Sequence, residues 1–344
     1  MKFKSLSNVV LAFLLLAFSV SSCECNKAQP EEATAESHVA PYLKDPQVKN
    51  LTEQIREAPT DAELRFKRSV VFLQMGETMP AFTDINRALA LDSTNAKYLF
   101  QKADVMLSDG YAEGAIQSFS KVIRTDPANK DARLRLAKTY LYAGDYNNSL
   151  AEVRRLIEID KTNFEPYFIA GMNYKELKDT ATAIQHFQNA LQYKPEFYEA
   201  YMQLGLLTSK RNTPEAPQYF DNALRLDSNS TEAWYGKAKY YQDRKQFEQA
   251  KSIYQKLISK SPQHHDAFFN MGFIYLLQDS VEKAAKQFDF VLRVQPNHSD
   301  AYYYRALALA DMGQAAAARD DLARCLALDP EHERAQDLLN TLNK

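Results

Sequence analysis

Three histidines in this chain of 344 residues, His264, His298 and His332, fall 34 positions apart. Imidazoles at a fixed interval could ligate a metal ion. Zinc, however, holds its ligands within about 2.1 Å of one ion, whereas equivalent sites on successive packed helices stand about 10 Å apart. The spacing therefore reads as turn positions, with His265 and Asp266 beside His264 as a residual surface candidate. Asp320-Asp321 is a paired acid, expected on a solvated helix face rather than in a catalytic dyad. The chain has no glycine-rich phosphate loop, no paired-cysteine metal spacing and no His-Glu-x-x-His motif. Its three cysteines are too few for a disulfide framework. Cys325 reads as a small buried apolar residue, and Cys25 has no assigned role. The chain thus points to no catalytic residue, metal or cofactor.

The elements that position these residues are set by one period. Ser69, Ala103, Ala137, Gly171, Gly205, Ala238, Gly272 and Ala306 recur every 34 residues, with one step of 33. A second small row begins with Ala81, Ala115 and Ser149, and ends with Ala284 and Ala318. Four residues after it comes a bulky row that includes Phe119, Phe187, Phe220, Tyr254 and Phe288. Offsets of three and four put such rows on one helix face. Turn signals such as Ala143-Gly144-Asp145 separate the two small rows, and Asp126-Pro127 or Gln295-Pro296 close the unit. The unit is helix, turn, helix, turn, repeated eight times.

This pattern resembles the tetratricopeptide repeat family. Ala301-Tyr302-Tyr303-Tyr304-Arg305-Ala306 and Asn189-Ala190-Leu191-Gln192-Tyr193-Lys194-Pro195 carry the resemblance. It covers eight units over residues 62–332 and implies an all-α, right-handed superhelical solenoid. A capping helix is expected over 46–61 and another over 333–344, because a solenoid must cover its terminal apolar faces. The fifth unit departs from the pattern: it lost one residue between Gly205 and Ala216 and carries Pro214 and Pro217.

Residues 1–22 read as a secretory signal, with Lys2 and Lys4 before an apolar run from Val9 to Val20. Val20-Ser21-Ser22-Cys23 resembles the bacterial lipobox, which implies that Cys23 is lipidated and becomes the first mature residue. Ordinary cleavage near Ser22, or an uncleaved anchor, are the alternatives. Residues 23–45 would then be a lipidated start and a tether, with a span of roughly 25 Å. The resemblance implies a bacterial repeat lipoprotein, fixed to the envelope and expected at its outer membrane.

In this family the first helices line the concave side. One residue per first helix, three places before the small row, reads Phe66, Phe100, Leu134, Phe168, Met202, Tyr235, Phe269 and Tyr303. These are the candidate partner-binding residues, for a protein or peptide in an apolar groove. The alternative is that the row packs between neighbouring first helices. The chaperone-tail-gripping variety of the family uses lysine, asparagine and arginine where this chain has Phe66, Phe100 and Leu134, so the groove does not resemble it. A near-neutral balance of 42 basic against 44 acidic residues argues against nucleic acid. The expectation is a non-enzymatic scaffold. A glycan-binding nutrient-capture lipoprotein, or an accessory of outer-membrane protein assembly, are the other readings. Asp179-Thr180-Ala181 and Asp279-Ser280-Val281 also resemble a short O-glycosylation motif, expected at exposed turns.

Overall fold

A computed structural model describes residues 37–343. Cys23, the signal segment and most of the expected tether lie outside these residues. The chain divides into two compact units, at Ala88 and Leu89.

The first unit holds α1 (Pro46–Glu57), α2 (Ala62–Gln74) and most of α3 (Thr78–Leu91). Asp45 and Asp61 start α1 and α2, each accepting two backbone N–H groups that have no partner within the helix. Val48 and Ile55 of α1 and Phe72, Ala81 and Ile85 of α2 and α3 are buried. The Tyr42 ring packs edge-on against Phe72, and its hydroxyl donates to Glu77 Oε2 at 2.6 Å.

The second unit runs as helix pairs: α4 (Ala96–Ser108) with α5 (Ala112–Thr125), α6 (Lys130–Tyr142) with α7 (Tyr146–Ile159), and α8 (Phe164–Glu176) with α9 (Thr180–Tyr193). Then come α10 (Tyr198–Lys210) with α11 (Ala216–Leu226), α12 (Thr231–Asp243) with α13 (Phe247–Lys260), α14 (His265–Leu277) with α15 (Val281–Val294), and α16 (Ser299–Asp311) with α17 (Ala315–Leu328). A last helix, α18 (Glu333–Leu342), packs on α17. Each first helix packs on its own second helix, which packs on the next first helix. Among the described residues every regular element is helical. The fold is all-α, with the helix-turn-helix units of a tetratricopeptide solenoid.

Small residues make the close approach inside each pair possible. A Cβ added at Gly171 would lie 2.6 Å from the Phe187 ring, and one at Gly272 would lie 2.8 Å from Phe288. Where a serine replaces a small residue, its hydroxyl bridges the two helices. Ser69 donates to the Ala81 carbonyl and Ser149 to the Ala137 carbonyl, both at 2.8 Å. The small rows thus meet each other, and the bulky rows fill the space beside that contact.

The turn inside each pair needs one left-handed residue. Gly76, Gly110, Gly144 and Gly313 supply it at φ of 75° to 82°. In the four units between, Lys178, Asn212, Lys245 and Asp279 take the same conformation. The second helix of the fifth unit is shorter, 11 residues in α11 against 14 in α9, because one residue is missing and two more stay in the longer turn between Lys210 and Ala216. Pro217 sits in its first turn, where no N–H is required.

Candidate functional site

The row three places before the small residues is half-buried, with one exception. Met202 is 3% exposed and packs among Phe220, Ala223 and Ala233, so it offers no surface. Its unbranched side chain has filled the space inside the pair. Phe66, Phe100, Leu134, Phe168, Tyr235, Phe269 and Tyr303 each leave part of the side chain open to solvent.

Within the second unit the rings of the row are held by an aromatic of their own pair, by the residue that caps the next first helix, or, for Phe168, Tyr235 and Phe269, by both. Inside its own pair, Phe100 meets Phe119 edge-on, Phe168 meets Phe187, and Phe269 meets Phe288, with centroids 5.4–5.6 Å apart. The other support is the residue that caps the next first helix. Phe168 packs on Phe197 at 4.8 Å, Tyr235 on His264 at 5.5 Å, Phe269 on His298 at 5.0 Å and Tyr303 on His332 at 4.8 Å. The two alternatives for the row therefore meet in one arrangement: a packed flank and an open flank.

The periodic histidines find their place here. Each accepts a backbone N–H through Nδ1: His264 from Ala267 and His298 from Ala301, at 3.3 Å, and His332 from Ala335, at 3.1 Å. Earlier units put Asn129 and Asn163 in that slot. The histidines are helix caps that double as stacking partners. The sequence signal for this was aromatic residues entering a register otherwise held by asparagine, aspartate and serine. Burial holds the His298 ring below the ordinary histidine range, outweighing Asp300 and Asp266, which pull it up. Among the described residues no group of His, Cys, Asp and Glu is arranged to hold a metal ion.

Polar side chains tie neighbouring first helices together. Lys138 of α6 donates to Glu165 of α8 at 2.7 Å, and Arg135 of α6 pairs with Asp104 of α4. The Arg135 guanidinium also lies over the Phe100 ring at 5.3 Å. Further along, Asn270 of α14 donates to the Tyr235 hydroxyl at 3.0 Å.

Three clefts open on the row. Phe66 lines one of about 480 Å³ with Leu51, Lys67, Val70 and Val71 in the first unit. Phe100 and Leu134 line another of about 330 Å³, with Asp131, Arg135 and Lys138. Tyr303 lines the third, about 350 Å³, with Tyr304, Asp300 and His332.

One expectation needs correction and a second is met in part. Asp321 does not lie on a solvated face: it is 4% exposed and chelates the Arg305 guanidinium at 2.7 and 2.8 Å. Asp320 beside it is exposed. The short glycosylation-like motifs lie at inter-helix turns with Asp179 and Asp279 exposed, but their Thr180 and Ser280 are half-buried, at the first residue of α9 and the cap of α15.

Stacked helix pairs with a half-open apolar row define a helical-repeat scaffold. Tetratricopeptide repeat models match residues 106–168, 170–231, 232–264 and 271–343. The chain belongs to the tetratricopeptide repeat family, whose repeats serve protein–protein interaction. A solved structure of the C-terminal part of a repeat protein from Cytophaga hutchinsonii is similar over 69% of this chain and 98% of its own, with 19% identity and a TM-score of 0.61. A tetratricopeptide repeat protein from Parabacteroides merdae is similar over 72% of this chain and 99% of its own, with 20% identity and a TM-score of 0.50. At such identities the likeness is one of fold. The human protein O-mannosyl-transferase TMTC3 is 28% identical over 128 residues, 35% of this chain and 14% of its own length, and its mouse counterpart matches similarly. The chain thus spans about one seventh of the length of these curated relatives, and their activity does not follow from the match.

Proposed function

We propose that the protein is a lipid-anchored scaffold of a bacterial envelope that holds a partner protein by an extended segment laid along its first helices. The observation that carries this reading is the coincidence, within the second unit, of the half-open row with clefts at Phe100 and Leu134 and at Tyr303; the first unit has its own cleft at Phe66. Apolar side chains held open on rigid helices suit a partner's side chains, which enter without reordering the scaffold. Acylation of Cys23 would supply location, and the outer membrane is the proposed site. The scaffold itself works without catalysis, by raising the local concentration of what it holds.

A photo-crosslinking side chain at Leu134, compared with one at Gln117 on the second-helix side, tests the surface in intact envelopes. Discrete protein adducts are expected from Leu134 and not from Gln117. Equal labelling from both positions would remove the first-helix reading. For the anchor, Cys23→Ser is expected to leave the membrane fraction, and unchanged partitioning would count against lipidation there.

A further inference from the structure

We propose that the first-helix face of the second unit selects a partner segment of bipolar charge, with an acidic end seated over α4 and α6 and a basic end over α16 and α18. This rests on the first-helix docking reading and adds the partner's chemistry and its direction.

The carrying observation is the contrast between the two clefts. At Phe100 and Leu134 the charged lining is Arg135 and Lys138 against Asp131. At Tyr303 it is Asp300, Asp329, Glu331 and Glu333 against Arg334, with His332 between. The helices follow the same trend. α6 sets Arg135 and Lys138 against Asp131, its Arg133 being buried on Glu152 and its Lys130 paired with Asp160, whereas α14 has Asp266 as its one fully charged residue and α18 has Glu333 and Asp337 against Arg334. Each cleft also joins its charges to an apolar or aromatic floor, so each fits a side chain with a stem and a charged tip.

Arg135 and Lys138 already have partners, Asp104 and Glu165. All four side chains are between a third and a half exposed. Exposed ion pairs contribute about 0–1 kcal/mol, so an incoming carboxylate can share these cations at little cost. Arg135 keeps its guanidinium over Phe100 with Nη1 on Asp104, and its remaining donors suit an incoming acid. At the other end, Asp300 holds His332 Nε2 at 3.3 Å through one carboxylate oxygen. Asp300 and Glu333 line this cleft together with Tyr303 and Tyr304, so a lysine or arginine entering it meets carboxylates beside tyrosine rings.

The partner's length follows from the repeats. Five steps of about 10 Å lead from Arg135 and Lys138 on α6 to Asp300 on α16, and an extended chain covers about 3.4 Å per residue. A segment of roughly 16 residues spans them.

The test uses the full chain in detergent and synthetic 18-residue probes of identical composition. One has a glutamate block and a lysine block at opposite ends of an apolar centre, and the other has the charges interleaved. The block probe is expected to bind about tenfold tighter at low salt, with the advantage shrinking as salt rises. Arg135→Glu with Lys138→Glu should cost about tenfold, as should Asp300→Lys with Glu333→Lys. Combining all four restores binding with the probe turned round, so a photo-crosslinker at its acidic end moves from α4 and α6 to α16 and α18. Equal binding of the two probes, no binding of either, or an unmoved crosslink overturns the proposal. The docking reading itself would then still stand or fall by the Leu134 adducts.

Discussion

Arg68 and Asp84 form a fully buried bidentate ion pair. Arg68 Nε donates to Asp84 Oδ2 at 2.6 Å and Nη2 donates to Oδ1 at 2.7 Å, with neither side chain exposed. Nη1 donates to the Thr52 hydroxyl at 3.0 Å, which in turn donates to the Val48 carbonyl. The same device recurs 237 positions later, seven periods on, where Arg305 chelates Asp321 and Asp289 takes the place of Thr52. Between them the arginine register holds Leu136, Ala170, Leu204 and Met271 among others. Lys102 and Lys237 also fall in this register, and Lys237 pairs with Asp221, so what sets the first and last repeats apart is the bidentate arginine–aspartate chelate rather than charge itself.

Removing one partner of the buried pair should be costly. Asp84→Ala strands a guanidinium among apolar side chains, and a loss of about 3–5 kcal/mol is expected. Arg68→Met combined with Asp84→Leu should recover most of it, since matched apolar residues avoid the desolvation. Asp321→Ala should cost less, because Arg305 is one-fifth exposed and keeps Asp289. Urea unfolding of the four proteins checks the order, and a double variant no better than Asp84→Ala would contradict it.

Gly171 and Phe187 give a second measure of the design. Alanine is the better helix former by about 1 kcal/mol, yet its methyl would meet the Phe187 ring at 2.6 Å. Both residues are enclosed, so the ring has little room to yield. Gly171→Ala is expected to destabilise by about 1–3 kcal/mol, and Phe187→Leu to relieve part of that. A Gly171→Ala protein as stable as the parent in urea would show that the pair of helices can spread.

The eight helix pairs were legible because burial acts on every unit alike: Ala103, Gly205 and Ala306 face the same crossing and so obey the same size limit. What depends on one neighbour was not legible. Met202 shares the register of Phe168 and Phe269 but turns inward, since the space beside Phe220 is open to it. Asp321 looked like any surface acid until Arg305 stood opposite. The cap register was visible as a turn, but its stacking on the aromatic row needed the geometry of two successive units.

The left-handed turns offer stabilising changes. Lys178 and Lys245 sit at φ of 62° and 59°, where a Cβ crowds the following carbonyl at about 1–2 kcal/mol. Lys178→Gly and Lys245→Gly should each gain about 0.5–1 kcal/mol after the added freedom of the unfolded chain is subtracted. Gly144→Ala, at φ 76°, should lose a similar amount. Thermal midpoints of the three variants give the signs, and a drop on either lysine replacement would mean that the side chain holds the turn.

Cys325 should be inert in the folded chain. It is fully buried, and burial pushes its thiol up to about 11. Thiolate is the reactive form, so at pH 8 little of it exists and reagent cannot reach it. In a Cys23→Ser, Cys25→Ser chain, where Cys325 is the one remaining thiol, labelling with an aromatic disulfide should be complete in denaturant and slow without it. Rapid native labelling would indicate frequent opening of the α16–α17 pair.

His298 sets a pH limit on the junction between α14 and α16. Its ring is stacked on Phe269, and its unprotonated Nδ1 accepts the Ala301 N–H at 3.3 Å. Burial lowers its pKa below the ordinary value of about 6.5 that the unfolded chain retains. The unfolded state therefore binds the proton more readily. The stabilisation is fully present above about pH 6.5 and is lost as pH falls through the folded value. His186 is lowered by burial too and acts in the same direction. The readout is accordingly a difference between proteins: the urea midpoint should fall from pH 7.5 to pH 5.5, and His298→Asn should flatten that slope. Asparagine already caps α6 and α8, so the variant keeps an acceptor that does not titrate in this range. A slope unchanged in His298→Asn would place the acid sensitivity elsewhere in the chain.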